Sequence, residues 1–166
     1  MSWIRSAALF LAGVVVGTIV MQTSAAQQKR DTAHRLNHVG IRVNNFQESL
    51  DFYTKVMGFK VAYSFPPNPD GSPTTTFLQI SKDTFLEMAP ATPTQPAGLN
   101  HIGLYTEDAN ATVAQLRQAG ATVTDARPSA NSGSVLATIN DPNQIRIEVN
   151  QQPPTSLMGK AMASWK

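Results

Sequence analysis

Apolar and other residues alternate along Asn37 to Val43. Val39, Ile41 and Val43 share one side of an extended strand, and His38, Gly40 and Arg42 share the other. The same arrangement returns at Asn100 to Tyr105, where Ile102 and Leu104 oppose His101, Gly103 and Tyr105. The two stretches are near copies. Leu36-Asn37-His38-Val39-Gly40-Ile41 matches Leu99-Asn100-His101-Ile102-Gly103-Leu104, with the histidines 63 positions apart (His101 minus His38). A repeat of that length marks a duplicated supersecondary module. Each strand therefore has an apolar face and a face that carries a histidine.

The first strand leads into a helix capped by Asn45, with Glu48 placed to close a capping box. Leu50, Tyr53, Val56 and Met57 recur at helical spacing to about Met57, and Gly58 stops the helix. Strands are predicted at Phe59 to Phe65, Thr74 to Ile80 and Thr84 to Met88, with the Pro- and Gly-rich turn from Pro66 to Pro73 between the first two. This half reads β-α-β-β-β. A Pro-rich linker from Ala89 to Gly98 follows. The second half repeats the order: a strand from Asn100, a helix from an Asp108 cap to about Ala119, and a Gly120 stop. Strands then follow at Ala121 to Ala126, Ser134 to Ile139 and Gln144 to Asn150. The fold class is α+β, with paired βαβββ modules at 36–88 and 99–150. Beyond Pro153-Pro154, a short tail within 151–166 places Leu157, Met158, Ala161, Met162 and Trp165 on one helical stripe. It is expected to pack on the domain or on a second subunit, or to cover a substrate.

Residues 1–26 have a different character. A short basic start through Arg5 precedes the uncharged apolar run from Ala7 to Met21, and Ser24-Ala25-Ala26 offers small residues for cleavage. The reading is an N-terminal signal peptide, or an uncleaved anchor as the alternative, followed by a spacer at 27–35. There is no twin-arginine pair, so the general secretory route is expected. The protein is thus expected to be exported, periplasmic or secreted, with membrane contact only if the segment is retained. The 166 residues suffice for one compact domain of two modules. Net charge is +2, and Lys and Arg are scattered without a basic face, which argues against nucleic acid as a partner. The absence of cysteine excludes disulfides, thiolate metal ligands and a cysteine nucleophile.

Each module also closes on a strand with a glutamate among apolar neighbours: Phe85-Leu86-Glu87-Met88, and Ile145-Arg146-Ile147-Glu148-Val149. His38 and Glu87 are 49 positions apart, and His101 and Glu148 are 47 apart. A lone histidine or glutamate on a strand is ordinarily structural or solvated; the doubled spacing is what singles these out. If each sheet curls its apolar face onto its helix, two imidazoles and two carboxylates converge. That mixed nitrogen and oxygen set suits one divalent ion of zinc, nickel, iron, cobalt or manganese, with no choice among them from sequence.

From Leu36 to Asn150 the pattern resembles the vicinal oxygen chelate superfamily, which includes glyoxalase I, bleomycin-resistance proteins and extradiol dioxygenases. The most specific stretches are His38-Val39-Gly40-Ile41-Arg42-Val43 and the run from Ser49 to Gly58, which is similar to bacterial glyoxalase I. Asp141-Pro142-Asn143 followed by Ile145 to Val149 resembles the family's closing strand. The resemblance implies paired modules forming a metal-binding half-barrel, with ligands at His38, Glu87, His101 and Glu148. It implies a small-molecule substrate with adjacent oxygens, an enediolate-type intermediate, Glu148 as the base with Glu87 as the alternative, and Arg42 as a substrate-binding anion clamp. It also implies a homodimer, since family sites are often built from two subunits.

Departures from glyoxalase I lie at Met88-Ala89-Pro90-Ala91, where an asparagine is expected, at Asn143-Gln144 in place of Asp-Gly, and in a Ser129–Ser134 loop without a basic residue. Three functions stay open at this point. One is a glyoxalase-I-like lyase or isomerase. Another is an extradiol-type dioxygenase using His38, His101 and Glu148. The third is a resistance-type binding protein without metal catalysis.

Overall fold

The computed structural model describes residues 34–166. The expected export segment lies outside them. Arg35–Lys166 form one compact unit.

The first module runs β1 (Arg35–Val43), α1 (Phe46–Asp51), β2 (Lys60–Ser64), β3 (Thr76–Ser81) and β4 (Thr84–Pro90). The second runs β5 (Gly98–Tyr105), α2 (Ala109–Gln118), β6 (Arg127–Pro128), β7 (Val135–Asn140) and β8 (Arg146–Gln151); the tail forms α3 (Leu157–Ser164). The strands make one eight-stranded sheet in the order β2-β3-β4-β1-β5-β8-β7-β6. Each module contributes four, ordered oppositely about the central β1–β5 pair. β1 is parallel to β4 and β5 is parallel to β8, whereas β1 and β5 are antiparallel. The duplicated strands thus lie side by side in opposite directions, which makes the repeat a two-fold relation about their centre.

The caps are those the sequence predicts. Asn45 Oδ1 accepts from the Glu48 amide at 3.2 Å, and Asp108 Oδ1 accepts from the Ala111 amide at 3.0 Å. Gly58 and Gly120 end their helices at φ +75° and +89°. The first helix departs from expectation by changing pitch. Its regular part stops at Asp51 and continues as a π-helical turn, Phe52–Val56, in which the Met57 amide reaches the Phe52 carbonyl at 3.0 Å.

The strand expected at Ala121 to Ala126 is not formed as such. Val123 makes a single bridge to Ile139, and regular pairing resumes only at Arg127–Pro128. The physical reason is a competing hydroxyl: Thr124 Oγ1 accepts from the Thr138 amide at 2.8 Å and takes the place of a ladder bond.

The two faces of the central strands are also not filled as alternation implies. His38 and His101 are fully buried, whereas Val39 and Ile41 are only half-buried. One apolar cluster joins Phe77, Phe85, Met158 and Ala161, so α3 returns from the second module to pack on the first. The other joins Val113, Val123 and Ala137, which seats α2 against β7.

Candidate metal centre

Antiparallel pairing of β1 with β5 sets His38 opposite Gly103 and Gly40 opposite His101. Each imidazole lies over the glycine of the other strand. A Cβ at Gly40 would overlap the His101 ring, and a Cβ at Gly103 would overlap the His38 ring. The glycine two residues after each histidine is therefore the seat of the opposite histidine. The rings meet edge to face with centroids 5.0 Å apart and Nε2 atoms 2.9 Å apart.

The residue before each histidine is an asparagine that faces its Nδ1 atom. Asn37 Oδ1 lies 3.1 Å from His38 Nδ1, and the Asn37 amide is oriented by donating to the Asp83 carbonyl at 3.1 Å. Asn100 Oδ1 lies 2.8 Å from His101 Nδ1 and also accepts from Arg146 Nη2 at 3.1 Å. At His38, Nδ1–H donating to asparagine leaves the lone pair on Nε2, whereas Nδ1 of His101 faces both the Asn100 oxygen and the donating Arg146 Nη2 at 2.9 Å. The two Nε2 atoms face each other at 2.9 Å, and a Glu148 carboxylate oxygen completes a set of three donor atoms within 4.8 Å of one another. The donor set therefore fits a divalent transition-metal ion.

Parallel pairing of β4 with β1 and of β8 with β5 brings up the carboxylates. Glu87 Oε2 is 3.3 Å from His101 Nε2 and 3.6 Å from His38 Nε2. Glu148 Oε2 is 3.7 Å from His38 Nε2 and 3.8 Å from His101 Nε2, while its Oε1 is held by Arg146 at 3.1 Å. All four expected residues thus meet within one chain. His38, His101 and Glu148 form one three-donor group, with donor atoms within 4.8 Å of one another. Glu87 also lies against both imidazoles, nearer to each than Glu148 does.

Burial drives the His38 pKa down from 6.5 to about 4; Glu87 opposes this, and His101 and Arg146 add to it. For Glu87, burial works to raise the pKa. The His101 hydrogen bond and the charges of His101, His38 and Arg146 outweigh it, so the carboxyl is held below its usual range. Burial, and then the Glu87 charge, push the Tyr63 phenol above its usual range.

Arg42 is placed elsewhere. It lies four residues along β1 from His38, about 13 Å at strand rise. Its Nη1 donates to the Pro90 carbonyl at 3.3 Å. A cavity of about 130 Å³ opens instead beside His38, Glu87 and Glu148, with Tyr63, Asn150 and Met158 in its wall. Sequence reading passed over Asn37, Asn100 and the pairing role of Gly40 and Gly103. Their recurrence in both copies of the repeat is the signal that marks them.

Residues 35–149 match the model of the Glyoxalase/Bleomycin resistance protein/Dioxygenase superfamily. A lactoylglutathione lyase of Escherichia coli O157:H7 is 31% identical over 128 residues, covering 71% of this chain and 93% of that one. One from Neisseria meningitidis serogroup A is 32% identical over 126 residues, covering 71% and 91%. Among solved structures, a methylmalonyl-CoA epimerase of Streptomyces coelicolor superposes with a TM-score of 0.60 at 20% identity, covering 74% of this chain and 97% of that one. A 2,3-dioxygenase of Pseudomonas sp. KL28 gives 0.61 at 20% identity, covering 76% and 46%. The doubled module, the shared sheet and the extent of the sequence match agree: the chain belongs to the Glyoxalase/Bleomycin resistance protein/Dioxygenase superfamily.

Proposed function

We propose that this protein is an exported, metal-dependent enzyme of the lyase or isomerase type, acting on a small molecule with adjacent oxygens. The observation that carries the reading is the pair of imidazole Nε2 atoms 2.9 Å apart, flanked by two carboxylates within 3.8 Å. His38, His101 and Glu148 would hold the ion, with Glu87 at its edge. A divalent ion there supplies Lewis acidity to a bound oxygen pair. The chain's own contribution is to orient the imidazoles through Asn37 and Asn100 and to move a proton at the carbon beside those oxygens. Sequence reading favours Glu148 for that step. The ion pair of Glu148 Oε1 with Arg146 at 3.1 Å supports Glu87 instead, because it holds the Glu148 carboxylate in place. Arg42 remains a candidate clamp for an anionic group at the far end of β1.

The lactoylglutathione lyases at 31–32% identity support lyase-like chemistry. The three-donor group favours one second reading, an extradiol-type dioxygenase, which would leave Glu87 idle. A homodimer is supported by the exposed apolar side chains of Phe52, Val56, Met57 and Val61. Light scattering of the purified protein checks that assembly, and fractionation of the native host checks export.

The central test is metal analysis of native protein and of two variants, with turnover of α-keto aldehydes, with and without glutathione. Glu148→Gln is expected to lose metal and activity together. Glu87→Gln is expected to keep its metal and lose turnover by at least a hundredfold, the size of a general-base contribution. Oxygen uptake with catechols under ferrous iron, undiminished in Glu87→Gln, would replace the first reading with the second.

A further inference from the structure

The cavity of about 130 Å³ beside the imidazoles is lined by Tyr63 and Asn150, two polar residues that the proposed chemistry does not use. Tyr63 Oη and Asn150 Nδ2 are both buried, and neither meets a hydrogen-bond partner among the described residues. Asn150 is 2% exposed and lies two residues beyond Glu148 on the same face of β8. Tyr63 approaches from β2, its ring stacked on Phe77 at 4.5 Å. Beyond the donor residues the wall is completed by Ser129, Ser132 and Ser134 and by the apolar Phe65, Phe77, Leu136 and Met158, and a few unpartnered polar groups in such a wall are what orients a small ligand.

The size of that cavity is set by the tail. Met158 of α3 packs with Phe77 and Phe85 and closes one side. The Leu157 amide donates to the Ser132 carbonyl at 2.9 Å, and Ser134 Oγ donates to Gln152 Oε1 at 2.6 Å. The tail and the Ser129–Ser134 loop are thereby tied together as one wall. The family match ends at residue 149, so the tail's part of this wall lies beyond the segment shared with the family model.

Resting on the metal-centre reading above, we infer that Tyr63 and Asn150 receive an outer oxygen of the substrate, and that the substrate is a free carboxylate- or carbonyl-bearing compound of a few carbons rather than a glutathione adduct. The space beside the donors admits roughly half a dozen heavy atoms at ordinary packing, and the Ser129–Ser134 loop that lines it offers no cation to the carboxylates of a tripeptide conjugate.

The test is calorimetric binding to the full-length protein loaded with cobalt(II), using three probes. Oxalate offers an adjacent oxygen pair and two further oxygens. Acetohydroxamate offers the pair with a methyl group beyond it. S-methylglutathione represents the adduct class. Oxalate and acetohydroxamate are expected to bind, and S-methylglutathione is not. Tyr63→Phe and Asn150→Ala should each weaken oxalate about tenfold, as for one lost hydrogen bond, and leave acetohydroxamate within twofold. The acetohydroxamate value also shows that each variant is folded. If oxalate binds both variants as it binds the parent, the two groups hold only solvent and the inference is overturned while the metal centre stands. Binding of S-methylglutathione as tight as oxalate overturns the size limit. If neither small chelator binds the loaded parent protein, the metal-centre reading falls and takes this inference with it.

Discussion

At the residue scale, the repeat Leu-Asn-His-x-Gly has a separate physical duty at three of its positions. Asparagine holds the ring through Nδ1, histidine presents Nε2, and glycine leaves room for the histidine of the other copy. Gly103→Ala would press a methyl into the His38 ring. The expected result is a loss of metal affinity of at least tenfold, with destabilisation of about 1–3 kcal/mol from overpacking. Metal competition assays and urea denaturation measure the two effects. A second residue shows a departure from the family pattern that the backbone has not followed. Gln144 sits at φ +67°, in the left-handed region, at the place where the family favours glycine. Gln144→Gly should therefore raise stability by about 0.5–1 kcal/mol, the relief of left-handed strain less the added entropy of the unfolded chain. An unchanged or lower melting temperature would count against strain at that turn.

At the element scale, periodicity finds elements well and their partners less well. The caps at Asn45 and Asp108 and the glycine stops were legible because each depends on local chemistry. The π-helical turn at Phe52–Val56 was not, since nothing in the spacing of Leu50, Tyr53 and Val56 separates it from an ordinary helix. The stretch from Ala121 to Ala126 reads as a strand by composition. Whether it pairs depends on a hydroxyl fourteen residues from its partner amide, which no local pattern contains. The tail is the reverse case: its apolar stripe is plain in sequence, but its docking site is not. Met158 is 2% exposed and joins a cluster from the other module. Met158→Ala should cost about 2–4 kcal/mol, as for other large core side chains. Denaturation midpoints of the variant test this; a change under about 0.5 kcal/mol would show that α3 is not part of the folded core.

At the scale of the whole molecule, the two modules place four ionisable side chains around one point, and this links stability to pH. With metal removed by chelator, His38 is held neutral down to about pH 4, whereas in the unfolded chain it takes up a proton near 6.5. The unfolded form therefore binds more protons in that window, so stability falls as pH falls from about 6.5 to about 4, by a few kcal/mol at most. Urea titrations across that range should show the slope in the parent protein and a shallower one in His38→Gln; equal slopes would place the titrating group elsewhere. The sequence by itself determined the module order, the duplication, and the identity of the two histidines and two glutamates, because each is written in local alternation, capping chemistry and repeated spacing. Only the tertiary structure decided that β1 and β5 lie antiparallel in one sheet, so that each glycine receives the opposite imidazole and the donors meet within one chain. It also decided that Arg42 points away to Pro90, and that Tyr63, Asn150 and Met158 come together beside the histidines. These outcomes depend on contacts between residues tens of positions apart, and chain periodicity carries no information about which distant face a side chain will meet.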